Sequence, residues 1–414
     1  MTSTAEETTI TSFDDYDVVE QQHYAYAMEL ATLSVVPMTL QTAFELGVFE
    51  ILSKAGNGAK LSSTEIAANI TTTNPEASLM IDRMLRLLAS HAVVGCSLAS
   101  DEDGNVKRLY NLTSVSKYYV RNEDGVSLGG SRVQDGSTTE QAQVCGSGQL
   151  HAAMEARACG LLAAGAARFF GFRYEQRLKR LGLDSDLRDR RIVLWRSELK
   201  NAVIEGGGTT FTRAYGGIHA FEYLGKDSRF NIAMINHSTM PVKKILKAYK
   251  GFANIKQLVD VGGGLGITLQ LITSMYPYIK GINYDLPHVI RDAPPYPGVE
   301  HVGGDMFEKI PNGDAWILHD WSDEHCITLL KNCYNAIPDD GKVIIVDSIL
   351  PTLPETTSAT KAVAQCDMVE MTLYEGGKER TRDEFKALAT KAGFKHVIFQ
   401  CLVANLWVTE FLKI

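Results

Sequence analysis

The stretch that decides the fold runs from Lys256 to Ile267 and reads K-Q-L-V-D-V-G-G-G-L-G-I. Its first half is a short apolar run that contains one acid, Asp260, near the end. Four glycines follow, and residues 267–275 then have the apolar pattern of a helix. A buried strand, a glycine turn and a helix in this order predict the opening unit of a doubly wound α/β sheet. Glycines at such a turn let the backbone approach a ligand closely, because they lack a Cβ and tolerate positive φ.

The spacing of the glycines distinguishes two kinds of cofactor loop. A dinucleotide loop has the pattern G-x-G-x-x-G, and Ile267 stands where its third glycine is needed. The chain instead has the pattern D-x-G-x-G-x-G, formed by Asp260, Gly262, Gly264 and Gly266. This pattern resembles the S-adenosylmethionine loop of class I methyltransferases, where an acid suits the cationic amino group of the cofactor. A glycine-rich turn in some other α/β domain is the alternative on these residues alone.

Two further predicted strands also end in acids. Residues 281–285 read G-I-N-Y-D and place Asp285 about 20 residues past the loop, where a doubly wound fold presents a carboxylate to ribose hydroxyls. Residues 302–307 read V-G-G-D-M-F, and Asp305 with Met306 could hold the edge and face of an adenine ring. Each acid alone also fits a helix cap or a turn. Three acids at the ends of three successive strands favour a cofactor that contains a nucleoside.

A histidine ends the fourth predicted strand of this domain. His319 lies in W-I-L-H-D-W, residues 316–321, and ligands in open α/β sheets bind outside the carboxyl ends of strands. Because the pKa of histidine lies near neutral pH, His319 suits the role of general base toward a phenolic acceptor. Asp347, at the end of the fifth strand, and Glu379 are the candidate carboxylates that would orient it. A structural role is the alternative for any single one of these side chains.

A metal ion is the weaker interpretation of the same region. Two acids and two histidines lie together there, namely His319, Asp320, Asp323 and His325. Because such a cluster in a strand-to-helix turn is weak evidence, we expect no metal. A metal-dependent catechol methyltransferase is the corresponding rival function.

Composition bears on partners and compartment. The 414 residues predict two or three domains, and a hydrophobic fraction of 45% is ordinary for a globular chain. A net charge of −8 does not favour nucleic acid or an anionic membrane as a partner. No apolar run reaches the roughly 20 residues of a spanning helix, and the acidic N-terminus does not read as a signal peptide. Seven cysteines without paired spacing predict reduced thiols and a cytoplasmic location.

The alternation of helical and strand patterns divides the chain into five segments. Residues 1–20 are expected to be disordered, and residues 21–128 predict helices followed by a small hairpin, as in a winged-helix module. Because that module is not basic, we expect it to form a dimer interface and not to bind DNA. Residues 129–193 predict an atypical, disordered insertion, since they are rich in Gly, Ser and Thr and then in arginine. Residues 194–250 predict a helical connector that lines the acceptor pocket, and residues 251–414 predict the cofactor-binding catalytic domain.

Taken together, the motifs resemble those of one family. The chain reads L-V-D-V-G-G-G-L-G at 258–266, D-L-P-H-V-I at 285–290, G-V-E-H-V-G-G-D-M-F at 298–307, H-D-W-S-D-E-H-C at 319–326 and G-G-K-E-R-T at 376–381. With them the sequence resembles the plant small-molecule O-methyltransferases of the caffeic acid and flavonoid type, over residues 20–128 and 195–414.

The resemblance implies a cofactor, an acceptor and a fold. The cofactor would be S-adenosyl-L-methionine, and the acceptor a phenolic hydroxyl of a plant secondary metabolite. A caffeic acid-like phenylpropanoid comes first, with a flavonoid or a phenolic alkaloid as alternatives. The fold would be α/β: a C-terminal Rossmann-like doubly wound domain and a mainly α, winged-helix dimerisation domain at the N-terminus of a homodimer.

The resemblance also assigns roles to residues. His319 would be the catalytic base, flanked by Asp347 and Glu379. Cofactor binding is expected at Asp260, Gly262, Gly264, Asp285, Leu286, Asp305 and Met306.

Several departures from the family pattern support a rival interpretation. Asp347 stands where the family usually has Glu, and the Lys that usually lies four residues before the base is missing. About 50 extra residues follow Leu128, in place of a short helix with acceptor contacts, although loops tolerate insertions at low cost. Glu370 and Tyr374 stand where the caffeate-type enzymes carry Met and Asn. The rival of another class is therefore a non-catalytic dimeric paralogue.

Overall fold

The N-terminal part of the molecule is a helical unit closed by a small sheet. The computed structural model describes residues 15–100, 106–130, 198–224, 228–316 and 321–414. The first helices are α1 (Asp15–Thr32), α2 (Val35–Glu45), α3 (Val48–Lys54), α4 (Ser63–Ala67) and α5 (Ala77–Ser90). An antiparallel sheet of order β1-β3-β2 consists of β1 (Leu61–Ser62), β2 (Val94–Ser100) and β3 (Val106–Leu112). Helices followed by such a hairpin are the arrangement that the sequence predicted for a winged-helix module.

The start of α1 differs from the sequence prediction. Residues 15–20 are helical, whereas we expected disorder through residue 20. Glu20 has a partner that is distant in sequence, since Lys244 Nζ donates to its Oε1 at 2.8 Å at the surface. Local composition cannot reveal such a partner. Of the segment 129–193, residues 131–193 lie outside the described residues, and Leu128–Gly130 form a short 3-10 helix.

Local sequence signals explain where the helices of this unit begin and which faces they bury. Ser62 and Glu65 form a capping box before α4, as the S-x-x-E pattern predicts. Met84, Leu87 and Leu88 of α5 are almost fully buried in the first core. Their spacing of three and four residues places them on one side of the helix.

A helical connector links this unit to the second domain. Its helices are α6 (198–205), α7 (Thr210–Ala214), α8 (Ala220–Leu224) and α9 (Ser228–Ala248). Thr209 caps α7 by accepting a hydrogen bond from the backbone of Thr212.

The second domain is built around a seven-stranded sheet within the described residues. Its strands are β4 (Gln257–Val261), β5 (Lys280–Asp285), β6 (Val299–Gly303), β7 (Asp314–Trp316), β8 (Lys342–Asp347), β9 (His396–Val403) and β10 (Leu406–Leu412). The helices between them are α10 (Ile267–Met275), α11 (Pro287–Ile290), α12 (Asp323–Ala336), α13 (Ser358–Leu373) and α14 (Arg382–Ala392).

The sheet has the topology of a doubly wound fold. The strand order is β6-β5-β4-β7-β8-β10-β9. Strands β4 to β8 pair in parallel, and β10 pairs antiparallel with both β8 and β9. The chain winds outward from β4 in both directions, so the crevice beside β4 is where a ligand is expected. The predicted α/β fold class is confirmed, and so is the final hairpin.

One helix of the second domain also completes the core of the first. Val363, Met368 and Met371 of α13 are buried in the same apolar cluster as α3 and α5. In the described parts of the chain, no single helix combines the length and apolar composition needed to cross a membrane, although α2 and α3, bent by 54°, meet the criterion as a pair.

Candidate active site

The glycine loop between β4 and α10 has one open side. Gly262, Gly264 and Gly266 have φ values of +75°, +56° and +83°, a region that L-residues with a side chain rarely adopt. A Cβ added at Gly262 or Gly264 would meet nothing within 4 Å. The backbone N–H of Gly262 donates to Tyr284 O at 2.8 Å, which ties the loop to β5. The loop therefore offers bare backbone at the crevice where the strand order reverses.

The opposite side of the loop is tightly packed on Asp260. A Cβ added at Gly263 would lie 2.2 Å from Asn283 Oδ1 and 2.7 Å from Asp260 Oδ2, so only glycine fits there. Asp260 is 4% exposed, and its carboxyl group lies under the loop. Burial, and secondarily the charge of Asp285, raises the pKa of Asp260 to about 7. Asp260 thus packs beneath the loop at Gly263, and its contact with the ammonium group of the cofactor stays a prediction.

An amide and an imidazole that sequence reasoning missed complete this support. Asn283 is fully buried in β5, and its Nδ2 donates to Gly264 O at 2.9 Å and lies 3.1 Å from His301 Nδ1. His301 Nε2 lies 2.9 Å from Pro294 O, which can only accept, so we assign the proton to Nε2 and let Nδ1 accept from Asn283. The available signal was the single polar residue inside the apolar run G-I-N-Y-D.

The acid that ends β5 contacts the loop directly. Asp285 Oδ2 accepts a hydrogen bond from the backbone N–H of Gly264 at 2.8 Å, and its Oδ1 accepts from Leu286 N at 2.7 Å. Leu286 itself is 45% exposed at the mouth of the crevice. A carboxylate oxygen retains lone pairs beyond one such contact, so Asp285 can still accept from a ligand's hydroxyl groups.

The acid after β6 lies at the neighbouring strand end. Asp305 Oδ1 accepts from Phe307 N at 2.8 Å, which shapes the turn that carries Met306. Met306 is half-buried, and its carbonyl oxygen accepts from Asn332 Nδ2 at 2.9 Å. Asp285 pairs with Gly303 across the parallel β5–β6 ladder, so the structure brings both predicted acids to one edge of the sheet.

The candidate catalytic carboxylates lie further along the same edge. His319 and Asp320 lie outside the described residues. Strand β7, which leads to them, pairs in parallel with β8, and β8 ends at Asp347. Asp347 and Glu379 are 4% and 2% exposed. Ile349 and Arg380 form a parallel bridge, with Leu350 N donating to Arg380 O at 2.9 Å, so the two segments that carry these acids are joined.

Comparison with known proteins identifies the family. The profile of an O-methyltransferase domain matches residues 195–395, and that of an O-methyltransferase dimerisation domain matches residues 28–122. A caffeic acid 3-O-methyltransferase of Medicago sativa is 45% identical over 404 residues, which cover 96% of each chain. The chain belongs to the O-methyltransferase family. A caffeic acid 3-O-methyltransferase 1 of Populus kitakamiensis is 46% identical to this O-methyltransferase over the same share of each chain.

A solved structure has the same fold as this O-methyltransferase. It is an O-methyltransferase family 2 protein from Planctomyces limnophilus, determined as a complex with apigenin. The TM-score is 0.52 with 19% sequence identity, over 97% of this chain and 98% of that one. The family resemblance that the motifs predicted is confirmed by the two profile matches and by the relatives at 45% and 46% identity.

Two of the four side chains considered for a metal ion, Asp323 and His325, lie within the described residues, and both have partners within the protein. Asp323 pairs with Lys378 Nζ and with Arg380 Nη2, each at 2.9 Å. Although burial favours the neutral acid, Arg380 and Lys378 hold the pKa of Asp323 below its ordinary value. His325 Nδ1 lies 2.8 Å from Ser322 Oγ. Among the residues that the structure describes, no group of three or more His, Cys, Asp or Glu is arranged to hold a metal.

Proposed function

We propose that this O-methyltransferase transfers the methyl group of S-adenosylmethionine to a phenolic hydroxyl of a plant secondary metabolite. The acceptor that we put first is a caffeic acid-like phenylpropanoid. The observation that carries the proposal is the identity of 45% and 46% with caffeic acid 3-O-methyltransferases over almost the whole chain.

The residues that line the crevice suit the chemistry of this cofactor. Gly262 and Gly264 present open backbone, and Asp285 presents a carboxylate beside them, suited to ribose hydroxyls. Asp305 and Met306 lie at the next strand end, where a polar edge and an apolar face would suit an adenine ring. When bound, the cofactor would supply an electrophilic methyl group on a positively charged sulfur.

The protein's part in the reaction is to position the acceptor and to remove its proton. A phenol has a pKa of about 10, so its anion is scarce at neutral pH without a base. His319 would take that proton. Asp347 and Glu379, both almost fully buried, would orient its ring and stabilise its cation.

A phenolic alkaloid or a flavonoid is the alternative acceptor class. Glu370 of α13 is 6% exposed and stands where caffeate-type enzymes carry Met. A buried carboxylate at such a position would suit an acceptor that carries an ammonium group, which favours the alkaloid among these alternatives.

The replacement His319→Ala tests the mechanism. We expect turnover to fall below detection while S-adenosylmethionine binding, measured by calorimetry, stays within a few fold of the wild-type value. A loss of cofactor binding would instead contradict the role of His319 as the catalytic base. An activity screen with labelled methyl donor over a phenolic panel identifies the acceptor class. The absence of both turnover and binding heat in the wild-type protein would favour the non-catalytic paralogue.

Two further proposals concern assembly and location. The dimerisation domain that matches residues 28–122 supports a homodimer. None of the five described cysteines forms a disulfide, in keeping with the reduced compartment that the sequence predicted. We therefore extend the proposal to a cytoplasmic homodimer.

A further inference from the structure

The backbone of Glu379 is held by a side chain from another element. Its N–H donates to Asp367 Oδ1 at 2.9 Å, although the two residues are 12 positions apart in sequence. Asp367 lies in α13 and is 1% exposed. A hydrogen bond to a buried carboxylate is stronger than one between neutral groups, so it restrains the peptide unit that carries the Glu379 side chain.

Asp367 is in turn held by two arginines of α5, the central helix of the dimerisation domain. Arg83 donates to it twice, from Nε to Oδ2 at 3.0 Å and from Nη2 to the main-chain oxygen at 2.6 Å, and its Nη2 also forms an ion pair with Oδ1 at 2.9 Å. Arg86 Nη2 lies 3.5 Å from Asp367 Oδ2. Both arginines are 5% exposed. The planar guanidinium of Arg83 fixes the direction of the carboxylate as well as neutralising it.

The residues on either side of Glu379 are anchored to a different element. Lys378 and Arg380 both pair with Asp323 at the start of α12, and Arg380 Nη2 also donates to Trp321 O at 2.7 Å. Arg380 is 1% exposed. The residues flanking Glu379 are therefore held by the start of α12, and its own N–H is held by Asp367 of α13. Such restraint leaves its side chain few directions, which is the preorganisation that a catalytic carboxylate needs.

We propose that Asp367 is a positioning residue for Glu379. The dimerisation domain, through Arg83, holds Asp367 and thereby sets the direction of the Glu379 carboxylate. The inference rests on the proposed function, because it assumes that Glu379 orients the base. On this proposal α5 influences the reaction indirectly, through Arg83 and Asp367, without contacting the substrate.

The experiment compares three variants in the full-length protein, with kcat taken per folded molecule. Glu379→Gln is the reference and should lower kcat at least tenfold. Asp367→Asn keeps the shape of the side chain but loses its charge, and should lower kcat about 10- to 100-fold, as removing a supporting partner does at other sites. The KM for the acceptor and the affinity for S-adenosylmethionine should change by less than about threefold, because the proposed role of Asp367 involves contact with neither ligand.

Asp82→Asn is the matched control. Asp82 is a buried carboxylate of the same α5, paired with Arg108 at 2.7 Å and more loosely with Arg86 at 3.5 Å, and not with Arg83. It should also lose stability, because the partly buried Arg108 is left without its carboxylate partner. Its kcat should nevertheless stay within about threefold of the wild-type value.

Combining the variants distinguishes the two proposals. The double variant Asp367→Asn with Glu379→Gln should be no slower than Glu379→Gln alone, because residues that act as a unit are not additive. A wild-type kcat for Glu379→Gln would overturn the role of Glu379 and the inference with it. A slow Glu379→Gln with an Asp367→Asn that behaves like Asp82→Asn would overturn the inference alone.

A second measurement does not depend on turnover or on the survival of Asp367→Asn. Arg83→Lys keeps the buried positive charge but lacks the fork, so it should fold while holding Asp367 less firmly. Hydrogen exchange of the peptide 374–381 should become at least several-fold faster in Arg83→Lys and Asp367→Asn, and stay unchanged in Asp82→Asn. Unchanged exchange in the first two variants would overturn the anchoring of Glu379.

Discussion

Asp260 carries its carboxyl group in a site that favours the protonated acid. Its Oδ2 and Asn283 Oδ1 are both buried and make no hydrogen bond as acceptors, and both lie against Gly263. Burial first, and Asp285 second, raises the pKa of Asp260 to about 7.

This raised pKa predicts a pH-dependent stability. The unfolded chain has a pKa of about 3.9 at this residue, so between about pH 4 and 7 the folded state binds more protons than the unfolded state. Asp260 should therefore make the protein less stable as the pH rises through that window, by at most about 4 kcal/mol. Asp260→Asn, whose amide can donate like the protonated acid, should remove this loss. Urea unfolding at several pH values measures it, and parallel curves for the two proteins would contradict it.

At the scale of elements, the β4–loop–α10 unit depends on the absence of a side chain at Gly263. Gly263→Ala would place a Cβ 2.2 Å from Asn283 Oδ1, so the loop or β5 must move. We expect a loss of about 1–3 kcal/mol in stability, as for other overpacked sites. We also expect at least a tenfold weaker affinity for S-adenosylmethionine, because the open side of the loop moves with it.

Gly281→Ala in β5 is the control for that prediction. Its added Cβ would meet Thr273 at 3.3 Å, a contact that a shift of a few tenths of an ångström relieves. We expect cofactor affinity close to the wild-type value. Equal losses of affinity in both variants, measured by calorimetry, would show that any added methyl in this sheet disturbs the site.

At the scale of the whole molecule, α1 presents an apolar face that nothing in the described chain covers. Val19, Tyr26 and Leu30 are between 48% and 53% exposed. Their spacings of seven and four residues place them on one side of the helix. An exposed apolar stripe on the edge of a dimerisation domain is expected to be buried in a homodimer.

The double replacement Tyr26→Asp with Leu30→Asp tests this assignment. The variant should sediment as a monomer at concentrations at which the wild-type protein is a dimer, since two buried carboxylates oppose association. Val106→Asp, at a residue that is 57% exposed in the hairpin and outside the stripe, serves as control. A dimer that survives the double replacement would place the interface elsewhere.

Sequence reasoning located residues whose placement depends on local order. The glycine loop and the acids at or just after the ends of β5, β6 and β8 could be placed because each lies at a fixed offset from a strand. Residues that act across long sequence separations could not be read in this way. Asp367 and Arg83 are 284 positions apart, and neither stands in a recognisable motif. Asn283 and His301 support the loop from β5 and β6. Asn283 had a local signal, as the polar residue inside an apolar run, but no local pattern distinguishes His301.

The helix α13 belongs to one half of the chain in sequence and to the other half in packing. Val363, Met368 and Met371 complete the apolar cluster of the winged-helix unit. Recombination between two relatives at the connector would therefore pack α13 of one parent against the N-terminal apolar cluster of the other. Working chimeras should exchange α13 together with the N-terminal half, because this embedded helix limits how freely the two domains of relatives can be recombined.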